Sequence, residues 1–152
     1  MTREVLIFLH MDDKNSGYIG DYFQRQKIPF RIIRSYADEA VPRLDGSIAG
    51  LVFMGGVMSA NDDISWIKQE IDLIRAAVQA NIPVLGHCLG GQLISRALGS
   101  PVTSNPVGEV GWHQCFKQNN SRSVEWLGDI DNPFMMFHWH YETFAIPDKA
   151  QL

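Results

Sequence analysis

Two uninterrupted apolar runs do most to limit what this chain can fold into. One is Val5-Leu6-Ile7-Phe8-Leu9, and the other is "IAGLVFM", Ile48 to Met54. A strand with one wet face alternates apolar and polar residues. A continuous run of strand length calls for burial on both faces, as in a parallel sheet with helices on either side. Phe30 to Arg34 reads as a further strand nearer an edge, and Ile82 to Gly86 as a short one. Between the last two strands Ile64, Ile67, Ile71, Ile74 and Val78 recur at steps of three and four, which predicts a helix with one apolar stripe. Asn61, Asp62 and Asp63 precede it, where side-chain caps and negative charge favour a helix start.

Met11 to Gly20 is polar and glycine-containing and reads as a loop, with a helix over Tyr22 to Lys27 that ends before Pro29. Leu89 to Leu98 is a second clear helix, closed by Gly99. Beyond Ser100 the rhythm changes: Val107 to Lys117 and Pro133 to Trp139 look like strands, joined by a polar stretch at Asn119, Asn120 and Ser121. The expected fold is α/β and three-layered, with a mostly parallel central sheet and helices on both faces, in one domain over residues 1–152.

Charge and composition exclude several functions. The net charge is −4 and Lys and Arg are scattered singly, so no basic face is available for nucleic acid. No apolar run reaches membrane-spanning length, and the run after Glu4 is too short for a secretory signal. A cytoplasmic setting is therefore expected, with Cys88 and Cys115 as free thiols.

The segment "PVLGHCLGGQLISRALGS", Pro83 to Ser100, carries the chemistry. Gly86-His87-Cys88-Leu89-Gly90 fits the Gly-x-nucleophile-x-Gly turn between a strand and a helix, with cysteine as the nucleophile. The flanking chain segments approach closely there, so side chains at both glycine positions would collide. The helix beginning at Leu89 favours negative charge on the sulfur. The Leu89 N–H is placed to donate to an oxyanion, and Gly55-Gly56, at the end of a neighbouring strand, offers a second donor.

These segments resemble the class I glutamine amidotransferases, in particular stand-alone members related to the glutaminase half of GMP synthase. The resemblance rests on "GLVFMGGVMSANDD" (Gly50 to Asp63), the cysteine turn, "EVGW" (Glu109 to Trp112) and "WHYETFAIP" (Trp139 to Pro147), in the family's order. It implies hydrolysis of glutamine's side-chain amide to glutamate and ammonia through a cysteine thioester, with no cofactor. Cys88 would be the nucleophile, and the N–H groups of Gly56 and Leu89 the oxyanion hole. Gln92, Trp139, Tyr141 and Glu142 would hold the amino-acid end of the substrate. Val57 stands where the family usually has proline, at a position that contributes only backbone. An ammonia-accepting synthase is the implied partner.

A thiol attacking an amide needs a proton acceptor. His140 and Glu142 have the family's His-x-Glu spacing and form one alternative catalytic pair. In the family, however, that pair follows a later strand, and "WHYETF" resembles the earlier pocket segment. The chain is thus expected to be the N-terminal two-thirds of such a domain. The catalytic His and Glu would lie beyond Leu152, and the segment alone would be a poor catalyst. Of the other histidines, His10 is expected to pack in a loop, His87 to point away from the sulfur, and His113 and His138 to be packed or solvated. Glu109 is expected to be polar glue beneath the pocket, and no cluster has metal-ligand spacing, so no metal is expected. The rival readings are a gamma-glutamyl hydrolase or other cysteine-turn hydrolase, and a catalytically inactive binding protein.

Overall fold

A computed structural model of the chain describes residues 2–12, 16–148 and 150. Four strands, β1 (Glu4–Leu9), β2 (Phe30–Arg34), β3 (Ile48–Phe53) and β4 (Val84–Gly86), form one parallel sheet in the order β2-β1-β3-β4. Three helices cover this sheet: α1 (Gly17–Arg25), α2 (Ser65–Gln79) and α3 (Leu89–Ala97). The apolar runs behave as their composition requires. Leu6, Phe8, Leu51 and Phe53 pack beneath α2 and α3, while Ile7, Leu9 and Val52 face the opposite side with Ile19 and Phe23 of α1. Phe8 stacks on Phe53 across β1 and β3, with centroids 4.6 Å apart. Both faces of the sheet are therefore covered by helices, and β2 is an edge strand, as the sequence implied.

Several local expectations need correction. Helix α1 starts at Gly17, inside the stretch read as loop; residues 13–15 of that loop lie outside the described residues. Its two glycines masked an Ile19/Phe23 pair at i, i+4 that packs into the core. Asn61, Asp62 and Asp63 do not cap α2. The cap position is Ile64, without a side-chain bond, because Asp62 accepts from the Ser59 N–H at 3.0 Å and Asp63 pairs with Lys68. The stripe of α2 turns slightly, so that Ala77 is buried and Val78 is partly exposed.

The C-terminal part is an antiparallel hairpin, β5 (Val102–Cys115) and β6 (Phe134–Phe144), both longer than the sequence suggested. Between them the polar stretch opens a short helix, α4 (Ser121–Leu127), whose cap Asn120 accepts from the Ser123 N–H at 2.9 Å. The hairpin is tied to the parallel layer at its base. Ser95 donates to the Ala145 carbonyl at 3.0 Å, and the Asn61 amide to the Val102 carbonyl at 3.0 Å. Directly paired residues share a face. One hairpin face therefore carries Glu109, His113 and Cys115 with His138 and His140, and the other carries Val110, Trp112, Phe137 and Trp139. No helix among the described residues is long and apolar enough to cross a membrane.

Candidate functional site

The carboxyl ends of β1, β3 and β4 open into a cavity of about 690 Å³. Ligands of open α/β sheets bind at such ends, where the strand order reverses direction; here the reversal falls between β1 and β3. His10 follows β1, Met54-Gly55-Gly56 follows β3, and His87-Cys88 follows β4, so three consecutive strand ends contribute to one wall. The tip of β6, from Trp139 to Glu142, closes the opposite side.

Cys88 sits at φ 53° and ψ −112°, outside the regions that L-residues ordinarily occupy. A backbone held this way costs about 1–3 kcal/mol and persists only where its surroundings enforce it. Close approach is part of the enforcement. A Cβ on Gly86 would lie 2.5 Å from the Gly90 carbonyl, and one on Gly90 would lie 2.0 Å from the Phe53 oxygen. The chain can cross over β3 only with glycine at both positions. The result is an exposed, free thiol at the N-terminus of α3. Among the described residues the thiol has no hydrogen-bond partner, and neither the Leu89 N–H nor the Gly56 N–H is taken up by a hydrogen bond. Gly56 is held against both sides of the cavity: a Cβ there would meet Leu89 at 2.8 Å and His10 at 2.9 Å.

Gln92, one turn along α3, is buried, and its amide reaches the Glu142 carbonyl at a long 3.5 Å. The Glu142 carboxylate accepts from Ser59 Oγ at 2.8 Å, which ties the β6 tip to the loop after Gly56. Gln92, Trp139, Tyr141 and Glu142 thus line one cavity with Cys88. His87 is exposed at the same cavity without a hydrogen bond to the thiol. His140 and Glu142 do meet, but not as a carboxylate pair: His140 Nδ1 donates to the Glu142 backbone carbonyl at 3.1 Å. The carboxylate beside His140 is Glu109, 3.1 Å from Nε2.

Two clusters were not legible from spacing. His10 is completely buried; it donates from Nδ1 to the Met54 carbonyl at 2.8 Å, and its Nε2 faces Glu70 Oε2 at 2.9 Å. Ser35 donates to the other oxygen of Glu70 at 2.5 Å, and Trp66 stacks on the imidazole at 5.0 Å. This group fixes the backbone just before Gly55-Gly56. On the hairpin, Glu109 Oε2 receives a hydrogen bond from His138 Nδ1 at 2.9 Å and lies 3.1 Å from His140 Nε2. The hydrogen bond from His138 is the main cause that holds the Glu109 carboxyl below its ordinary range; the nearby imidazoles add to it and burial opposes it. The ligand atoms of Glu109, His138 and His140 all lie within 4.8 Å of one another, where spacing along the chain predicts no metal site.

The family model described as "Glutamine amidotransferase class-I" matches residues 11–150. The chain belongs to this family. Among relatives of this class I glutamine amidotransferase chain, the glutamine amidotransferase-like protein YfeJ of Salmonella typhimurium is 31% identical over 122 residues, which are 77% of this chain and 51% of YfeJ. A GMP synthase [glutamine-hydrolyzing] of Clostridium perfringens is 31% identical over 93 residues, 60% of this chain and 17% of that protein. The crystal structure of a glutamine amido transferase from Methylobacillus flagellatus superposes with a TM-score of 0.91 at 40% identity, covering 97% of this chain and 59% of that one. The α/β architecture is thus the amidotransferase fold, and the chain spans about half the length of YfeJ.

Proposed function

We propose that this segment supplies the nucleophile and substrate pocket of a glutamine amidotransferase site. In this reading the Cys88 sulfur attacks the carboxamide carbon of glutamine. The oxyanion is met by the Leu89 and Gly56 N–H groups, and nitrogen leaves as ammonia once it has gained a proton. Water then cleaves the thioester to give glutamate and restore the thiol. The observation that carries the reading is the exposed Cys88 at positive φ, beside two N–H groups without acceptors. Gln92 and the β6 tip supply polar groups for the amino-acid end.

His140 lines the cavity, but one of its ring nitrogens is committed to the Glu142 carbonyl and the other faces Glu109, so neither is free for the thiol. An ammonia-using synthase, of the kind named in the Clostridium perfringens relative, is the proposed partner.

An α-chloroketone analogue of glutamine tests this without needing a base, because it alkylates a thiolate directly. Intact-mass analysis should show one adduct at Cys88, slowed by glutamine and absent in Cys88→Ala, with Cys115 unmodified. Equal labelling of Cys115, or no protection by glutamine, would remove the reading. Protection by gamma-glutamyl peptides but not by glutamine would move it to gamma-glutamyl hydrolysis. Ammonia release by the segment itself should be negligible; turnover that needs both Cys88 and His140 would make His140 the base.

A further inference from the structure

On the hairpin behind the cavity, Glu109, His138 and His140 each turn one ligand atom toward the others, all within 4.8 Å. His140 Nδ1 faces the Glu142 carbonyl at 3.1 Å, and a carbonyl can only accept. The Asn105 amide lies farther from that nitrogen, at 3.5 Å; with the hydrogen turned to the nearer carbonyl, the Nε2 lone pair of the neutral ring points at Glu109 Oε2, 3.1 Å away. His138 repeats the pattern in the other tautomer. Its Nε2 faces Cys115 Sγ at 3.6 Å, and the Cys115 thiol is itself directed at the His113 carbonyl at 4.0 Å. With no ion bound, His138 Nδ1 donates to the same Glu109 oxygen at 2.9 Å; with the hydrogen on Nε2, facing the sulfur, the Nδ1 lone pair would point there instead.

In those tautomers two imidazole lone pairs and a carboxylate oxygen converge on one point. One divalent ion would satisfy all three groups with both rings neutral. We propose that Glu109, His138 and His140 bind a divalent transition-metal ion of the zinc class, which clips β5 to β6 behind the cavity wall.

The geometry fits that ion. Ligands about 2.0–2.1 Å from a tetrahedral centre stand about 3.3 Å apart, close to the 2.9 and 3.1 Å from Glu109 Oε2 to the two imidazole nitrogens. Metal-binding histidines characteristically donate their second N–H to a carbonyl or similar acceptor, and here the second ring nitrogens face the Glu142 carbonyl and Cys115 Sγ. Two imidazoles and one carboxylate select a borderline ion over magnesium or calcium, which prefer all-oxygen shells. The three residues are partly buried, so an ion can enter from solvent. His140 also lines the cavity, and the ion would hold that wall in place. The site does not depend on the glutamine reading.

The test is calorimetric titration of the chain with zinc chloride in a Cys88→Ala background, which removes the exposed thiol as a competing ligand. The expected result is saturable one-to-one binding, no comparable binding of magnesium, and visible absorption typical of four-coordinate cobalt when cobalt replaces zinc. Glu109→Gln and His138→Ala should each weaken binding by about 100-fold, the upper end of what loss of a supporting partner alone costs. Cys115→Ser, which keeps an acceptor, should stay within about tenfold. Far-UV circular dichroism should be unchanged in both ligand variants. The absence of one-to-one binding in the parent protein, or parental affinity in either folded ligand variant, would overturn the site and leave the cluster held by protons alone.

Discussion

Two histidine–glutamate pairs flank the same cavity, and they are built alike. His10 gives one ring nitrogen to the Met54 carbonyl and turns the other to Glu70; His140 gives one to the Glu142 carbonyl and turns the other to Glu109. Each fixes a backbone segment that lines the cavity. They differ in burial: the side chains of His10 and Glu70 are 0% exposed, whereas those of His140 and Glu109 are 29% and 43% exposed. Identical chemistry should therefore have very different energetic weight. In the core, desolvation makes each partner dependent on the other. On the hairpin, water and ions share the load.

The largest expected effect breaks the inner pair. His10→Ala leaves Glu70 buried with only Ser35 as a partner, and loss of one member of a buried pair costs about 3–5 kcal/mol. Urea denaturation followed by tryptophan fluorescence would read it directly. The double variant His10→Leu/Glu70→Leu should regain much of that loss, because a packed apolar pair needs no charge balance. A single-variant loss below about 1 kcal/mol, in the range of an exposed pair, would erase the contrast.

A smaller effect is expected at Ser35. Its hydroxyl serves the second oxygen of Glu70 at 2.5 Å. Ser35→Ala leaves that oxygen buried without its donor, which costs about 1–3 kcal/mol. The same denaturation assay would check it. A neutral substitution would mean that the carboxyl needs only His10, and that the core network ends one residue earlier.

What the sequence disclosed about these regions follows the distance over which each is determined. The cysteine turn was legible because Gly86, Cys88 and Gly90 set it within a few residues, and because continuous apolar runs announce a doubly covered sheet. Glu70 leaves a readable signal: it lies between Ile67 and Ile74 on the buried stripe of α2, where a carboxylate must find a partner. The partner itself could not be read, since His10 comes from another element 60 residues away. The hairpin cluster left less trace. His138 and His140 share a face by alternation, but their meeting with Glu109 depends on a β5–β6 register that shifts between Ser104 and Glu109. No local pattern encodes that shift. The start of α1 was hidden for a different reason, since Gly17 and Gly20 read as breakers while Ile19 and Phe23 supply the packing that makes the helix.

The smallest effect sharpens the comparison most, because it turns on screening rather than size. Glu109→Gln keeps the shape of the side chain and removes its charge, so His138 and His140 lose an ion-pair acceptor but keep a polar neighbour. In low salt the variant should unfold at a slightly lower urea concentration than the parent. In 1 M salt, where the screening length falls to about 3 Å, the two curves should converge. The deficit of His10→Ala should persist at the same ionic strength, since mobile ions do not reach a pair with no exposed surface. If the Glu109→Gln deficit also survives high salt, the outer cluster is shielded as the inner one is, and burial does not distinguish the two pairs.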